Sequence, residues 1–478
     1  MPKFTVKTLL SDTLVYGIAR FVNIFFSIFL IPIYTRYFTV AEYGIIENLN
    51  IFSVLIVGMF GFSLSEGLIR YYTLSESEIE KKELLSTIHY VSLILGVIAL
   101  VIGLLISNWF GNIFIQKTDS ENFLLVLLAI IQAICVINLT IYQSVFRINF
   151  RKSQYNVTTI GVVVLSALLS IFFVVILKHG VKSVFLAAAI SNFLFAVYGY
   201  VKVKPEIYFK YFKFGILKKL LPYCYPLAIS GLAILVLRSS DRYFISLLLD
   251  NSLYQIGLYT TAEKVMMPLL LITAAFHTAF VPFIMNAAKT EDIKPLLIKS
   301  YKLYVGVTTI GVIILSIVAK YILILLTTPS YYPAYKYAYL VGIYLILNTS
   351  YYFGGIGLSL KEKTKYIGVF LIVSALINII FNIILIPQYH IAGALFATII
   401  SYLVFNFLIF YKSNQFFEVN YSFRKSLLII IACGCFSFFS LENTLLGLIL
   451  LPIFVGMLIY SGFLNVPYIK ESIYNKMH

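Results

Sequence analysis

The chain has 478 residues, of which 61% are hydrophobic and 12% are charged, and its mean hydropathy is +0.95. Soluble domains average about 45–50% apolar and about 25% charged residues, so the composition excludes an ordinary soluble protein. The formal net charge of +16 would suggest nucleic-acid binding in a soluble chain. Here the basic residues fall mainly between apolar runs, as in the loops that flank membrane spans, and no nucleic-acid partner is expected.

Long uncharged apolar runs recur from one end of the chain to the other, and a run of about 18 or more residues indicates a transmembrane helix. We therefore predict an all-α polytopic membrane protein, with the lipid bilayer as its environment and about 14 transmembrane helices. The predicted spans are 10–35, 43–68, 84–108, 122–146, 155–177, 182–203, 220–248, 255–285, 297–327, 335–359, 365–386, 391–411, 425–441 and 444–463.

The distribution of basic residues between the loops predicts the orientation. If the N-terminus is cytoplasmic, about 26 Lys and Arg lie on the cytoplasmic side and about six on the other side. An error of one span early in the chain would destroy this asymmetry. Both termini are therefore expected in the cytoplasm.

A basic segment divides the chain. It reads "KVKPEIYFKYFKFGILKKLLPYCYP" and follows the sixth span. Lysines interleaved with aromatic residues are typical of an interfacial helix on an anionic leaflet, and an ordinary cytoplasmic loop explains them equally well. We predict a six-helix lobe at 1–203, a basic linker at 204–219, a second six-helix lobe at 220–411, and two extra helices with a cytoplasmic tail at 412–478. Because each half begins in the cytoplasm, a pseudo-two-fold axis along the membrane normal is expected.

Sequence motifs of enzymes and ATP-driven pumps are missing. The chain has no G-x-x-x-x-G-K-[ST], H-E-x-x-H or G-x-S-x-G. No stretch between the predicted spans is long enough for a soluble catalytic domain. We expect a transporter, not an enzyme.

The seventh span, "ILVLRSSDRYFISLLLD", contains Arg238, Asp241 and Arg242. A charge at the bilayer centre costs about 2.5–3.5 kcal/mol on insertion scales, and such residues usually face a bundle interior or a wet cavity. Their spacing places all three on one broad helix face. They either form an internal ion network, or leave one unbalanced guanidinium that binds an anionic, phosphorylated substrate. Arg20 in the first span would add a further positive charge.

The remaining ionisable residues within spans also fall in the first two spans of each half, which predicts one polar cavity. Glu263 and Lys264 are adjacent in the eighth span and are expected to form a local pair. Glu47 could neutralise Arg20. These further cavity candidates are Glu47, Glu66, Glu263, Lys264 and His277.

Uncharged polar residues form a second cluster. Asn378 and Asn382 lie four residues apart on one face of the eleventh span, and Thr398 lies in the twelfth. They are either interhelical hydrogen-bond partners or oxygen ligands of a hard cation. Asp241 is the candidate carboxylate for such an ion site.

Three stretches resemble the bacterial polysaccharide-export family, the Wzx-type O-antigen and oligosaccharide-lipid flippases. They are "LVYGIARFVNIFFSIFLIPIYTRYFTVAEYGIIENLN" at 14–50, "RSSDRYFISLLLDNSLYQIGLYTTAEK" at 238–264 and "AFVPFIMNAAK" at 279–289. This family shares a superfamily with multidrug exporters and the lipid II flippase. The resemblance implies a two-lobed transporter with a cationic central cavity. Arg20, Arg238 and Arg242 match positions where such proteins place cavity arginines.

The resemblance also implies a substrate, a mechanism and a location. The substrate is an undecaprenyl-diphosphate-linked oligosaccharide, moved between leaflets of the bacterial inner membrane by alternating access, with a polysaccharide polymerase and a chain-length regulator as partners. Asp241, Asn378, Asn382 and Thr398 are similar to a sodium site of the lipid II flippase, although Asn382 lacks the expected carboxylate. We expect no cofactor beyond Na⁺ or H⁺ as coupling ion. The alternatives are a cation-coupled drug antiporter of the same superfamily and a membrane polysaccharide polymerase.

Overall fold

The computed structural model describes residues 22–288 and 292–464. Within these ranges the chain is almost entirely helical and forms no β-strand, which confirms the all-α class. The helices, numbered in chain order, are α1 (Val22–Tyr37), α2 (Val40–Gly61), α3 (Leu64–Leu74), α4 (Glu78–Leu105), α5 (Ser107–Phe114), α6 (Asp119–Ile148), α7 (Lys152–Ile171), α8 (Lys182–Val203), α9 (Phe214–Leu248), α10 (Ser252–Val265), α11 (Met267–Ala287), α12 (Lys294–Leu326), α13 (Tyr335–Leu360), α14 (Lys365–Phe416), α15 (Phe423–Ser440) and α16 (Thr444–Tyr460).

Nine helical segments in the described part of the chain are long and apolar enough to cross a membrane, and α1 and α16 are shorter apolar helices. The chain is therefore a multi-pass membrane protein, as predicted. The count of fourteen spans stays a prediction, because length and composition do not decide whether the interrupted pair α10–α11 or the tyrosine-rich α13 crosses the bilayer.

The second predicted span is interrupted. Thr39 begins α2 with a capping box, in which its hydroxyl accepts from the Glu42 amide and the Glu42 carboxylate accepts from the Thr39 amide. The helix ends where Phe62 and Ser63 adopt left-handed conformations, with φ of 46° and 50°, and α3 begins directly afterwards. The predicted eighth span is also divided, at Met266 with φ −88° and ψ 2°, between α10 and α11.

The long element α14 is a helical hairpin. An unbroken helix of 52 residues would be about 78 Å long, more than twice the thickness of a bilayer core. His390 breaks it, with φ 51° and ψ −125°. Across the break, Asn378 Nδ2 donates to Thr398 Oγ1 at 3.3 Å, although 20 residues of straight helix would separate them by about 30 Å. The two predicted spans, 365–386 and 391–411, are thus separate antiparallel helices.

The basic segment does not form one interfacial helix. Lys204–Glu206 and Phe209–Tyr211 each make a short 3₁₀ turn before α9 begins. Lys213 forms an ion pair with Glu83 on α4 at 2.5 Å. The segment is therefore an irregular connection that is fastened to the first part of the chain.

Contacts between Cα atoms divide the chain into two compact units, Met1–Leu247 and Leu248–His478. This grouping places nearly all of α9 in the first unit. The predicted lobes and the axis that relates them stay predictions.

Candidate functional site

The first unit contains a cavity of about 290 Å³ beside the break between α2 and α3. Its walls come from α2, α3, α6 and α9 and are largely apolar, with Ser63, Ser65, Glu66 and Thr140 as the polar lining. Ser65 Oγ donates to Glu66 Oε2 at 2.7 Å. Glu66 is exposed and lies in the first turn of α3, where the helix dipole stabilises a carboxylate.

The backbone at the edge of this cavity is strained. Phe62 and Ser63 are consecutive residues with positive φ, a conformation that is uncommon for side chains other than glycine and unusual in succession. Such strain persists where surrounding structure enforces it and tends to cluster at functional sites. The cavity is therefore the first unit's best candidate for a substrate-contacting region.

Helix α9 packs antiparallel to α2 and α3. At one end, Asn48 Nδ2 donates to Ser246 Oγ at 3.1 Å. At the other end, a Cβ on Gly67 would lie 2.6 Å from Cys224 Sγ. Residue numbers along α2–α3 rise in the direction in which residue numbers along α9 fall. The C-terminal half of α9 therefore runs alongside the N-terminal half of α2.

The cavity-lining face of α9 continues to the predicted arginines. Ala228, Gly231 and Leu235 line the cavity, and their spacing of three and four residues repeats at Arg238 and Arg242. A spacing of three and four keeps residues on one helix face. Arg238 and Arg242 thus lie one and two turns beyond the cavity, towards the end of α9 that packs against Asn48.

Burial separates the three charged residues of α9. Arg238 is exposed, whereas Asp241 and Arg242 are 0% and 3% exposed. Arg242 Nη1 donates to the Arg238 carbonyl oxygen at 2.8 Å, so its guanidinium folds back along the helix. Arg238 is the member of the trio that is accessible to a ligand.

The other predicted residues that the structure describes in the first unit are carboxylates. Glu47 is partly buried and lies seven residues before the cavity-lining Val54, on the same face of α2. Arg20 lies outside the described residues. The predicted site residues described in this unit are two guanidiniums, Arg238 and Arg242, and three carboxylates, Glu47, Glu66 and Asp241.

The second unit brings Asn378, Asn382 and Thr398 together. All three are buried, and Asn382 Nδ2 donates to Asn378 Oδ1 at 3.1 Å beside the bond from Asn378 to Thr398. The Asn378–Thr398 bond joins the two arms of α14 and the Asn382–Asn378 bond lies within the first arm, and interhelical hydrogen bonding of this kind is common in membrane proteins. The oxygens of the three side chains also suit a hard cation, but these side chains supply no carboxylate. Asp241 belongs to the first unit.

Glu263 and Lys264 occupy the last turn of α10. The Glu263 carboxylate accepts a hydrogen bond from the Tyr344 hydroxyl on α13. Lys264 lies near the helix C-terminus, where the dipole favours a cation. His277 on α11 packs against Tyr352, with ring centroids 3.4 Å apart. Sequence reasoning missed Tyr344 and Tyr352. Their only signal in the sequence is a polar aromatic residue in the middle of an apolar helix.

Comparisons with known proteins agree on the kind of molecule. A family model described as polysaccharide biosynthesis protein matches residues 9–288. No curated protein matches the chain in sequence.

Solved structures of transporters share the fold. The lipid II flippase MurJ in an inward closed conformation is similar with a TM-score of 0.70 and 16% identity, covering 94% of this chain and 99% of that one. An inward-facing multidrug resistance transporter of the MATE family, in the MOP superfamily, has a TM-score of 0.66 and 13% identity, covering 82% and 94%. A MOP superfamily transporter from Pyrococcus furiosus has a TM-score of 0.61 and 14% identity, covering 84% and 94%. The chain therefore shares its fold with these transporters.

Proposed function

The chain belongs to the polysaccharide biosynthesis protein family, and we propose that it is a flippase for a lipid-linked oligosaccharide. The proposed substrate is an undecaprenyl-diphosphate-linked repeat unit of O-antigen, capsule or exopolysaccharide. It moves from the cytoplasmic to the periplasmic leaflet of the bacterial inner membrane by alternating access. The family match carries this proposal, and the similarity in fold to a lipid II flippase supports it.

Arg238 is the residue that we assign first to the diphosphate. It is exposed and continues the cavity-lining face of α9, and a guanidinium matches phosphate oxygens with two parallel hydrogen bonds. Arg242 would support it from one turn further along, and Arg20 is the third proposed ligand.

A charge reversal tests this assignment. Arg238→Glu is expected to lower surface polysaccharide about tenfold or more in cells that depend on this protein, because repulsion replaces a charge-assisted contact. The undecaprenyl-linked repeat unit should accumulate in the inner membrane at the same time. Lys218→Glu is a matched control, since Lys218 is also an exposed cation of α9 but lies near the start of the helix. Normal polysaccharide in the Arg238→Glu strain, with the protein present at wild-type abundance, would contradict the assignment.

The orientation and partners follow from the same proposal. Both termini would be cytoplasmic, and a polymerase with its chain-length regulator would receive the product on the periplasmic side. An impermeant maleimide should therefore label Lys117→Cys in intact spheroplasts and Lys82→Cys only after permeabilisation. The reverse labelling would overturn the orientation. Copurification of the polymerase with the tagged protein from crosslinked membranes would support the partnership, and its absence would contradict it.

Coupling to an ion gradient is a further part of the proposal. Na⁺ would use the oxygens of Asn378, Asn382 and Thr398, whereas H⁺ would use Asp241 or one of the glutamates. A moving charge responds to membrane potential, so either ion could drive the cycle between inward- and outward-open states.

A drug antiporter of the same superfamily is the second candidate. Two observations favour it: the fold also matches multidrug exporters, and the described predicted site residues of the first unit include three carboxylates against two guanidiniums. Such a transporter would export organic cations in exchange for H⁺ or Na⁺. Cells that overexpress the protein would then resist cationic dyes, and unchanged dye sensitivity would exclude this candidate.

A further inference from the structure

Helix α13, the predicted tenth span, carries a row of polar side chains near its midpoint. Tyr344, Asn348 and Tyr352 are four residues apart, so they share one helix face, and all three are partly exposed. At 1.5 Å per residue, Tyr344 lies about 14 Å and Asn348 about 20 Å from the start of a helix that is about 39 Å long. Interfacial tyrosines lie at the ends of a span, so an aromatic belt does not account for this row.

Two residues of the neighbouring helices extend the row into a surface. Glu263 on α10 accepts a hydrogen bond from the Tyr344 hydroxyl. His277 on α11 packs against the Tyr352 ring. We call Tyr344, Asn348, Tyr352, Glu263 and His277 the α13 polar surface. All five side chains are partly exposed.

Two polar side chains of the second unit that only join helices are almost fully buried, unlike those of the α13 polar surface. Asn406 Nδ2 donates to the Leu347 carbonyl oxygen at 2.8 Å, and Asn406 is 0% exposed. Tyr304 donates to the Ile346 carbonyl oxygen at 3.1 Å and is 3% exposed. A carboxylate and an amide that are partly exposed within predicted spans require water or a polar ligand beside them. The α13 polar surface thus has the exposure of a binding surface.

The chemistry of the surface fits a polyhydroxylated ligand. Phenol, amide, carboxylate and imidazole groups together offer both donors and acceptors to neighbouring hydroxyl groups. Their rings also supply flat apolar area for the C–H faces of a sugar. Tyr352 packs against Tyr351 with ring centroids 4.2 Å apart as well as against His277, so its ring is held in position before a ligand arrives. None of the five side chains is a Lys or Arg, so the surface does not suit a diphosphate.

We propose that the α13 polar surface binds the glycan of the lipid-linked substrate. This inference rests on the proposed flippase function and deepens it. The diphosphate is assigned to arginines of α9, and the sugars are assigned to the second unit. The hydroxyl groups of the sugar exchange hydrogen bonds with Tyr344, Asn348 and Glu263, and the aromatic rings exclude water from the apolar face of the sugar.

Binding of two lipids to the purified full chain tests the proposal. One is the undecaprenyl-linked oligosaccharide extracted from the membranes of cells that make this protein, and the other is undecaprenyl diphosphate without sugar. Asn348→Ala and Tyr344→Phe are expected to weaken binding of the glycosylated lipid about tenfold and to leave the bare lipid unchanged. Tyr339→Phe is the matched control, because Tyr339 lies on α13 outside the surface and packs against Phe438. It should change neither dissociation constant.

The outcomes separate the two proposals. Equal weakening of both lipids by Asn348→Ala and Tyr344→Phe, or no effect on either lipid, overturns the glycan assignment while the flippase proposal stands. A wild-type protein that binds neither lipid contradicts the flippase proposal, and the glycan assignment with it. Tyr344→Phe removes a single oxygen, and melting temperatures measured in parallel show that the variants are folded, so weakened binding reports on the surface.

Discussion

Arg238 and Arg242 show how two identical side chains one turn apart can serve different purposes. The sequence places both on one face with Asp241, and that much was predictable from spacing. Which of them is buried depends on the packing around α9, for which the local sequence carries no signal. The local sequence also carries no signal for the hydrogen bond between Tyr344 and Glu263, because the two residues are 81 positions apart.

The difference in burial predicts different effects on stability. Arg242→Met should lower the free energy of unfolding by about 3–5 kcal/mol, the usual effect of breaking a buried charged network. Arg238→Met removes an exposed charge and should leave the melting temperature near that of the wild type. Thermal unfolding in detergent measures both, and equal losses would refute the distinction between a structural and an accessible arginine.

Thr398 tests whether the buried Asn–Thr cluster is more than a helix-to-helix contact. Thr398→Ala removes the acceptor of the Asn378 bond and should destabilise the protein by about 0.6–1.7 kcal/mol, the range for such bonds in membranes. If the cluster binds Na⁺, the variant also loses the dependence of transport on a sodium gradient in proteoliposomes. If transport by the wild type does not depend on the sodium gradient, these residues have only a structural role.

At the scale of elements, the apolar runs located the helices but not their interruptions. The break at 62–63 follows Gly61 and the break at 266 precedes Pro268, but isolated glycines and prolines are frequent in membrane helices and do not by themselves predict a break. The turn at His390 was easier to place, because Pro387 lies just before it and Gly393 just after it. For the basic segment the sequence left an interfacial helix and an ordinary loop equally open, and the structure has two 3₁₀ turns there, which Pro205 and the tertiary contacts to α4 favour.

Gly393 is predicted to be essential to the hairpin of α14. A Cβ at this position would collide with the carbonyl oxygen of Leu385, and backbone atoms cannot move aside as a flexible side chain can. Gly393→Ala should therefore lower the melting temperature and disturb the Asn378–Thr398 contact. Gly456→Ala is the control, because a Cβ there meets nothing within 4 Å and should be neutral or stabilising by about 0.4–1 kcal/mol. Similar melting temperatures for the two variants would show that the turn is not tightly packed.

At the scale of the whole molecule, composition predicted a multi-pass membrane protein, and the nine long apolar helical segments of the described residues agree with it. The function of each charged residue was harder to predict, because a cavity is built by helices distant in sequence. We propose that an arginine of the first unit binds the diphosphate and that a polar tyrosine row in the second unit binds the sugars. The central claim is that this chain moves a lipid-linked oligosaccharide between leaflets and that Arg238 contacts its diphosphate.

Translocation by the purified protein in proteoliposomes tests this claim most directly. The measurement follows extracted undecaprenyl-linked oligosaccharide from the inner to the outer leaflet by its accessibility to an added sugar-binding lectin. We predict transfer by the wild type, loss of transfer in Arg238→Glu, and transfer at the wild-type rate in Lys218→Glu. No transfer above that of protein-free vesicles, or equal transfer by Arg238→Glu and the wild type, would contradict the account.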